Sequence, residues 1–174
     1  DSADISFAPH SGDYSPEDPG VFDHMMLKEI HDQPTAFQNA IAGRVSADGK
    51  NAMLSGFQLN PDELRNLDRI NIVACGTAFF AAKLGVRYIR RLSKVPVEAY
   101  LSSEFPADSV CGKNTLTIAV TQSGETKDTL DAITRAKVAG GHISSICNVI
   151  NSTIARFTGN GAYLYAGPEY SVAS

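Results

Sequence analysis

A chain of 174 residues, 43% of them hydrophobic, can bury a sizeable core and suits one domain with an appendage. Its formal net charge of −4, from 15 basic and 19 acidic residues, argues against a nucleic-acid partner, since gripping a phosphate backbone takes a basic face. No apolar run approaches the ~18 residues of a membrane span, and no signal-peptide pattern opens the chain. Three cysteines (Cys75, Cys111, Cys147), none at C-x-x-C spacing, read as free thiols in a reducing cytoplasm.

Residues 1–21 are polar, acidic and rich in Ser, Pro, Asp and Gly, which predicts a linker or tail without its own core. That start, together with a first residue other than methionine, is expected of a piece cut from a longer protein. Residues 22–68 form a helical segment. Phe22 to Gly43 reads as a helix broken or kinked near Pro34, with Met25, Met26, Ile30, Phe37 and Ile41 as an imperfect apolar stripe and Gly43 near its C-terminal end. Asp48-Gly49 signals a turn. Asn60-Pro61-Asp62-Glu63 opens a second helix, with Asn as cap, Pro in the first position and acids in the first turn.

From residue 69 to 174 the pattern alternates strand and helix. Arg69 to Cys75 is a strand; a helix follows from about Ala78 to Ser93, its apolar residues Phe80, Leu84, Tyr88 and Leu92 four apart. Val95 to Leu101 is a second strand, and a brief helical turn follows at Glu104-Phe105. Thr115 to Val120 is a third strand, with a helix from Glu125 to Ala139 closed by Gly140-Gly141. His142 to Cys147, a short helix capped by Ser152, and a last strand from Gly161 to Tyr165 complete the set. Nearly continuous apolar strands joined by amphipathic helices predict a five-stranded parallel sheet covered on both faces, a flavodoxin-like three-layer α/β/α sandwich. Such sheets bind ligands outside the carboxyl ends of their strands, at the switch point of the strand order.

The two most polar loops at that edge are Cys75-Gly76-Thr77-Ala78 and Thr121-Gln122-Ser123-Gly124. The second places the hydroxyls of Thr121, Ser123 and Thr126 within six residues of a predicted helix start. The first N–H groups of a helix have no partner within it, and the macrodipole adds about half a positive charge there. Hydroxyls beside those amides make a phosphate cradle that needs no lysine. The same hydroxyls would also serve as plain caps. Gly76-Thr-Ala-Phe-Phe-Ala lacks the G-x-G-x-x-G of a dinucleotide site, with Phe79 and Phe80 where glycines would stand, and a Walker pattern is missing. Glu125 reads as an acid that offsets a helix dipole, and Glu104 as a residue that could line the cleft. His24 and His31 read as surface or interface groups on one helix face, and His142 as structural; no Ser/His/Asp or Cys/His set emerges.

These motifs, in order, resemble a known family. Ala74-Cys-Gly-Thr77 after strand one, Ser103-Glu-Phe105 after strand two, Gln122-Ser-Gly-Glu-Thr126-x-Asp128-Thr129 after strand three and Cys147-Asn148 after strand four resemble the sugar isomerase (SIS) domain. The match is closer still to the isomerase part of the glutamine–fructose-6-phosphate aminotransferases, the glucosamine-6-phosphate synthases. Met26-x-Lys28-Glu29-Ile30-His31-x-Gln33-Pro34 is similar to their segment after the glutaminase domain, and Val172-Ala173-Ser174 to the motif that opens the next stretch. The resemblance spans about residue 22 onward.

It implies an enzyme that makes glucosamine 6-phosphate from fructose 6-phosphate and glutamine, by amino transfer and ketose/aldose isomerisation, without a metal or organic cofactor. It implies that Thr121, Ser123 and Thr126 hold the sugar phosphate, joined by Gln122, with Thr77 at the same pocket. Val172 and Ser174 would contact the sugar. Ala78 stands at the substrate-binding position where the family usually has serine, and Ser171 where it usually has glycine. The family's isomerising glutamate, ring-opening histidine, tail lysine and glutaminase cysteine match no residue of this chain, so it is read as the first of two SIS halves. Such a half binds hexose 6-phosphate (fructose or glucosamine 6-phosphate) but does not turn it over, and pairs as a homo-oligomer. The alternatives are a stand-alone sugar-phosphate-sensing SIS module and a flavodoxin-like nucleotide binder.

Overall fold

The structure is a computed structural model that describes residues 18–171. Most of the N-terminal tail, and Val172 and Ser174 at the other end, lie outside the described residues. Five parallel strands, β1 (Arg69–Ala74), β2 (Val97–Leu101), β3 (Thr115–Thr121), β4 (His142–Cys147) and β5 (Gly161–Tyr163), lie in the order β2-β1-β3-β4-β5. The direction of winding reverses between β1 and β3, so these two strands flank the switch point.

Alternating side chains of β1 serve the two faces. Ile72 and Ala74 pack with Val97 against Ala82 and Val86 of α3 (Gly76–Leu92). Val73 points the other way, into a cluster with Ala119, Ile143, Ile154 and the α5 residues Ala132, Ile133 and Ala136. Here α5 is Lys127–Val138 and α6 is Thr153–Thr158. Burying a side chain such as the fully enclosed Ile133 contributes about 1.5–3 kcal/mol, so α5 is anchored firmly beneath the loop that precedes it. A short α4 (Ala107–Val110), for which the sequence gives no signal, leans on α5.

Three helices differ from expectation. In α3, Phe80, Leu84, Tyr88 and Leu92 are 68%, 49%, 61% and 86% exposed. A four-residue repeat overshoots the helical period by ~40° each step, so the stripe winds away from any one face. The inward positions are Ala82, Gly85, Val86 and Ile89, at i, i+3, i+4 and i+7, and their small size lets the helix lie close enough for Gly85 to meet the Ile72 side chain. In α1 (Met25–Ile41) the helix runs unbroken through Pro34. None of its residues is buried, so the Ile30 carbonyl that loses its partner can face water. Third, α5 starts at Lys127 rather than Glu125, because residues 122–126 form a turn of their own around Gly124, at φ +69°.

Residues 44–57 shield the sheet's edge. Val45 and Ala52 pair across the turn at Gly49, and Gly161 N donates to Gly56 O at 2.7 Å. The capping box at Asn60 opens α2 (Pro61–Arg65) as its sequence indicates. Strand β5 stops at Tyr163, two residues earlier than expected, since Tyr165 turns to φ +54° and Ala166 N is taken by the Asn148 side chain.

Candidate functional site

At the carboxyl ends of β1 and β3 lies a cleft of about 540 Å³. Its floor is Val120, Thr121 and Gln122, where β3 leaves the sheet. Ala78 and Ala81 of α3's first turns form one side, and Met26, Glu29, Ile30 and Gln33 of α1 another. A strap over residues 164–169 closes the rest, with Asn148 at its base. The short side chains of Ala78 and Ala81 leave this space open and offer it no side-chain donor.

The loop after β3 is held from below by the loop after β4. Asn148 N and Val149 N both donate to Gln122 O at 3.1 Å, and Ile154 N donates to Gly124 O at 2.9 Å. Glu125 Oε1 accepts from Thr153 N at 2.8 Å, so this acid caps α6 rather than its own helix. Hydrogen bonds from Thr153, reinforced by Arg156, hold the Glu125 carboxyl below the ordinary carboxylate range. Ser152 sits at the α6 cap position, yet its hydroxyl makes no bond to that helix; Glu125 fills the role instead. A Cβ on Gly124 would strike Ser152, so glycine is demanded there by both its φ and its neighbour.

Within the loop, Gly124 N donates to Thr121 Oγ1 and Glu125 N to Ser123 Oγ, each at 3.2 Å. Thr121 Oγ1 also lies 3.5 Å from Thr126 Oγ1. Thr126 is the N-cap residue of α5 but makes no side-chain cap bond. Three sequence-derived residues, Ala78, Thr121 and Gln122, therefore meet in the cleft, whereas Ser123 and Thr126, on the loop that continues from its floor, do not line it. Thr77 is exposed in the first turn of α3 beside Ala78. Val172 and Ser174 follow directly on the strap but lie outside the described residues.

The strap is tied by two side chains. Asn148 Oδ1 accepts from Ala166 N at 2.8 Å and its Nδ2 donates to Gly167 O at 2.6 Å. Glu29 Oε1 accepts from Tyr170 N at 2.7 Å and from Ser171 N at 3.3 Å, and its Oε2 accepts from the Ser171 hydroxyl. Partial burial works to raise the Glu29 carboxyl, but these bonds and nearby Lys28 outweigh it and hold the group below its usual value. Such contacts, 141 residues apart in the chain, leave no periodic trace, although Cys147-Asn148 and Lys28-Glu29 both stood out as motifs.

The remaining candidates are elsewhere. Glu104 ends a 3₁₀ turn (Ser102–Glu104) and is exposed away from the cleft. His24 is the α1 N-cap, accepting from Leu27 N at 3.1 Å, and His31 stacks on Phe22 at 5.0 Å. Among the described residues no three His, Cys, Asp or Glu side chains gather in a metal-binding group, and no helix is long and apolar enough to cross a membrane. All three cysteines are free; burial pushes the Cys111 and Cys147 thiols up.

A family model described as SIS domain matches residues 63–174. The chain belongs to the SIS domain family. It is 41% identical over 156 residues to the glutamine–fructose-6-phosphate aminotransferase (isomerizing) of Clostridium acetobutylicum, covering 89% of this chain and 26% of that protein. The same-named protein of Bacteroides thetaiotaomicron is 42% identical over 156 residues, with 89% and 25% covered. The SIS chain thus spans about a quarter of the length of these relatives. Among solved structures it is similar to the C-terminal domain of glucosamine-fructose-6-phosphate aminotransferase from Francisella tularensis, at a TM-score of 0.73 and 31% identity over 88% of this chain and 42% of that one.

Proposed function

We propose that this SIS domain is the sugar-phosphate-binding half of an enzyme that makes glucosamine 6-phosphate from fructose 6-phosphate and glutamine, and that alone it binds hexose 6-phosphate without turning it over. The observation that carries the reading is the cleft at the β1/β3 switch point, floored by Thr121 and Gln122, from which the loop runs on to the N-terminus of α5. The phosphate group docks on the Ser123 and Thr126 hydroxyls and the first amides of α5. Thr121 shapes the loop by accepting from Gly124 N. The sugar then extends between α1 and the strap, toward Val172 and Ser174. The names of the relatives, which act on fructose 6-phosphate, support this ligand class.

The domain division follows the same reading: a tail over 1–21, a helical segment over 22–68 and the SIS domain over 69–174. Three free cysteines suit the cytoplasm. Self-association is supported by the apolar side chains that α3 leaves exposed, Phe80, Leu84, Tyr88 and Leu92, part of whose winding row a second copy would cover.

Titration calorimetry tests the site. Ser123→Ala or Thr126→Ala is expected to weaken fructose 6-phosphate binding, each lost charge-assisted bond being worth about 1.5–3 kcal/mol. Unchanged affinity in both variants would remove the loop from the site.

A further inference from the structure

We infer that Glu29 is a positioning residue whose carboxylate clamps the end of the 164–171 strap and so sets the sugar-facing wall of the cleft. The inference rests on the sugar-phosphate reading for its consequence, but not for the clamp itself.

The strap leaves the sheet in steps. Leu164 N still bonds to Cys147 O, at 2.8 Å, continuing the pairing of β5 with β4. Asn148 then grips Ala166 and Gly167 with both ends of its amide. Beyond Gly167 Glu29 holds the chain, taking two amides and a hydroxyl from Tyr170 and Ser171. Two carboxylate oxygens accepting three donors fix the chain's position and direction at Tyr170 and Ser171.

The clamp also explains how α1 is held. None of its residues is buried, and Met26, Ile30, Phe37 and Ile41 are each at least 39% exposed. No apolar side chain of the helix is fully enclosed, so the Glu29 carboxylate adds a polar tie to partial apolar contact. Met26 and Ile30 line the cleft on the same helix as Glu29, while Gly167, Pro168 and Glu169 line it from the strap. One side chain thus joins two walls of one cavity. The hydroxyl of Ser171 gives the clamp a bond beyond those of the two amides.

The test uses the whole chain in three forms: wild type, Glu29→Ala and Ser171→Gly. Hydrogen exchange without ligand is expected to show the Tyr170 and Ser171 amides slowed in the wild type and faster by roughly tenfold or more in Glu29→Ala, with β3 and β4 amides unchanged. Equal exchange at Tyr170 in both proteins overturns the clamp whatever the ligand data show. If the freed strap occupies its proper place about a tenth of the time, the Kd for fructose 6-phosphate rises roughly tenfold, since apparent affinity scales with the competent fraction. Inorganic phosphate, which reaches only the loop after β3, is expected to bind both proteins within about twofold. Ser171→Gly, which removes one of three bonds, should fall between them. Loss of inorganic phosphate affinity in step with the sugar phosphate would mean that Glu29 supports the whole domain, and would overturn a positioning role. A wild type that binds neither ligand refutes the sugar-phosphate reading instead, and the exchange result still decides the clamp.

Discussion

Gly124→Ala probes whether contact with α6 dictates the shape of the loop after β3. A Cβ at 124 would lie 1.9 Å from Ser152 Oγ and 2.4 Å from Ser152 Cβ. The second distance decides the matter. A hydroxyl can rotate, but Cβ is fixed to the backbone, and Ser152 is only 3% exposed. Overpacking of that kind costs about 1–3 kcal/mol. Placing alanine at φ +69° adds about 1–2 kcal/mol. The sum, about 2–5 kcal/mol, lowers the melting temperature of a chain this size by roughly 4–20 °C. Ser152→Gly removes the obstructing atoms at little cost, because Ser152 makes no cap bond to α6. The double variant is expected to recover the steric share, about 1–3 kcal/mol, and to keep the share due to φ. Thermal denaturation of all four proteins measures both shares. A single variant that melts within about 1 °C of the wild type, or a double variant no more stable than the single, refutes the reasoning.

The Glu125 cap carries a pH signature. A carboxyl held low in the folded state by its Thr153 bonds contributes stability that is present above its unfolded value, near 4.3, and lost as pH falls through the folded value. Acid titration of amide exchange at Thr153 should show protection fading below about pH 4.3, and Glu125→Gln should flatten that profile; an equally steep profile in the variant counts against the cap. On α3, Leu84→Glu places a charge in the exposed stripe and should reduce self-association in sedimentation while changing stability by no more than about 0.5 kcal/mol. A wild type that stays monomeric at every concentration speaks against pairing there.

What the sequence determined by itself follows from local physics. Strand and helix alternation, the Asn60 capping box and the polar loop after β3 are all written in neighbouring residues, and parallel winding then fixes the carboxyl edge as the ligand side. The hydroxyl-rich motif after β3 is legible for the same reason: its hydroxyls and glycine lie within six neighbouring residues. The face of α3 was not legible from its largest side chains, because β1 selected the small residues Ala82, Gly85 and Val86 that let the helix approach. Nor does the pattern around Glu125 reveal its partner, since a carboxylate can cap whichever helix end the fold brings near, and here that is α6. The tie from Glu29 to Ser171 belongs to the same class. Hydrogen bonds between distant segments depend on where the sheet places its loops, so only the tertiary structure decided which side chains hold the cleft together.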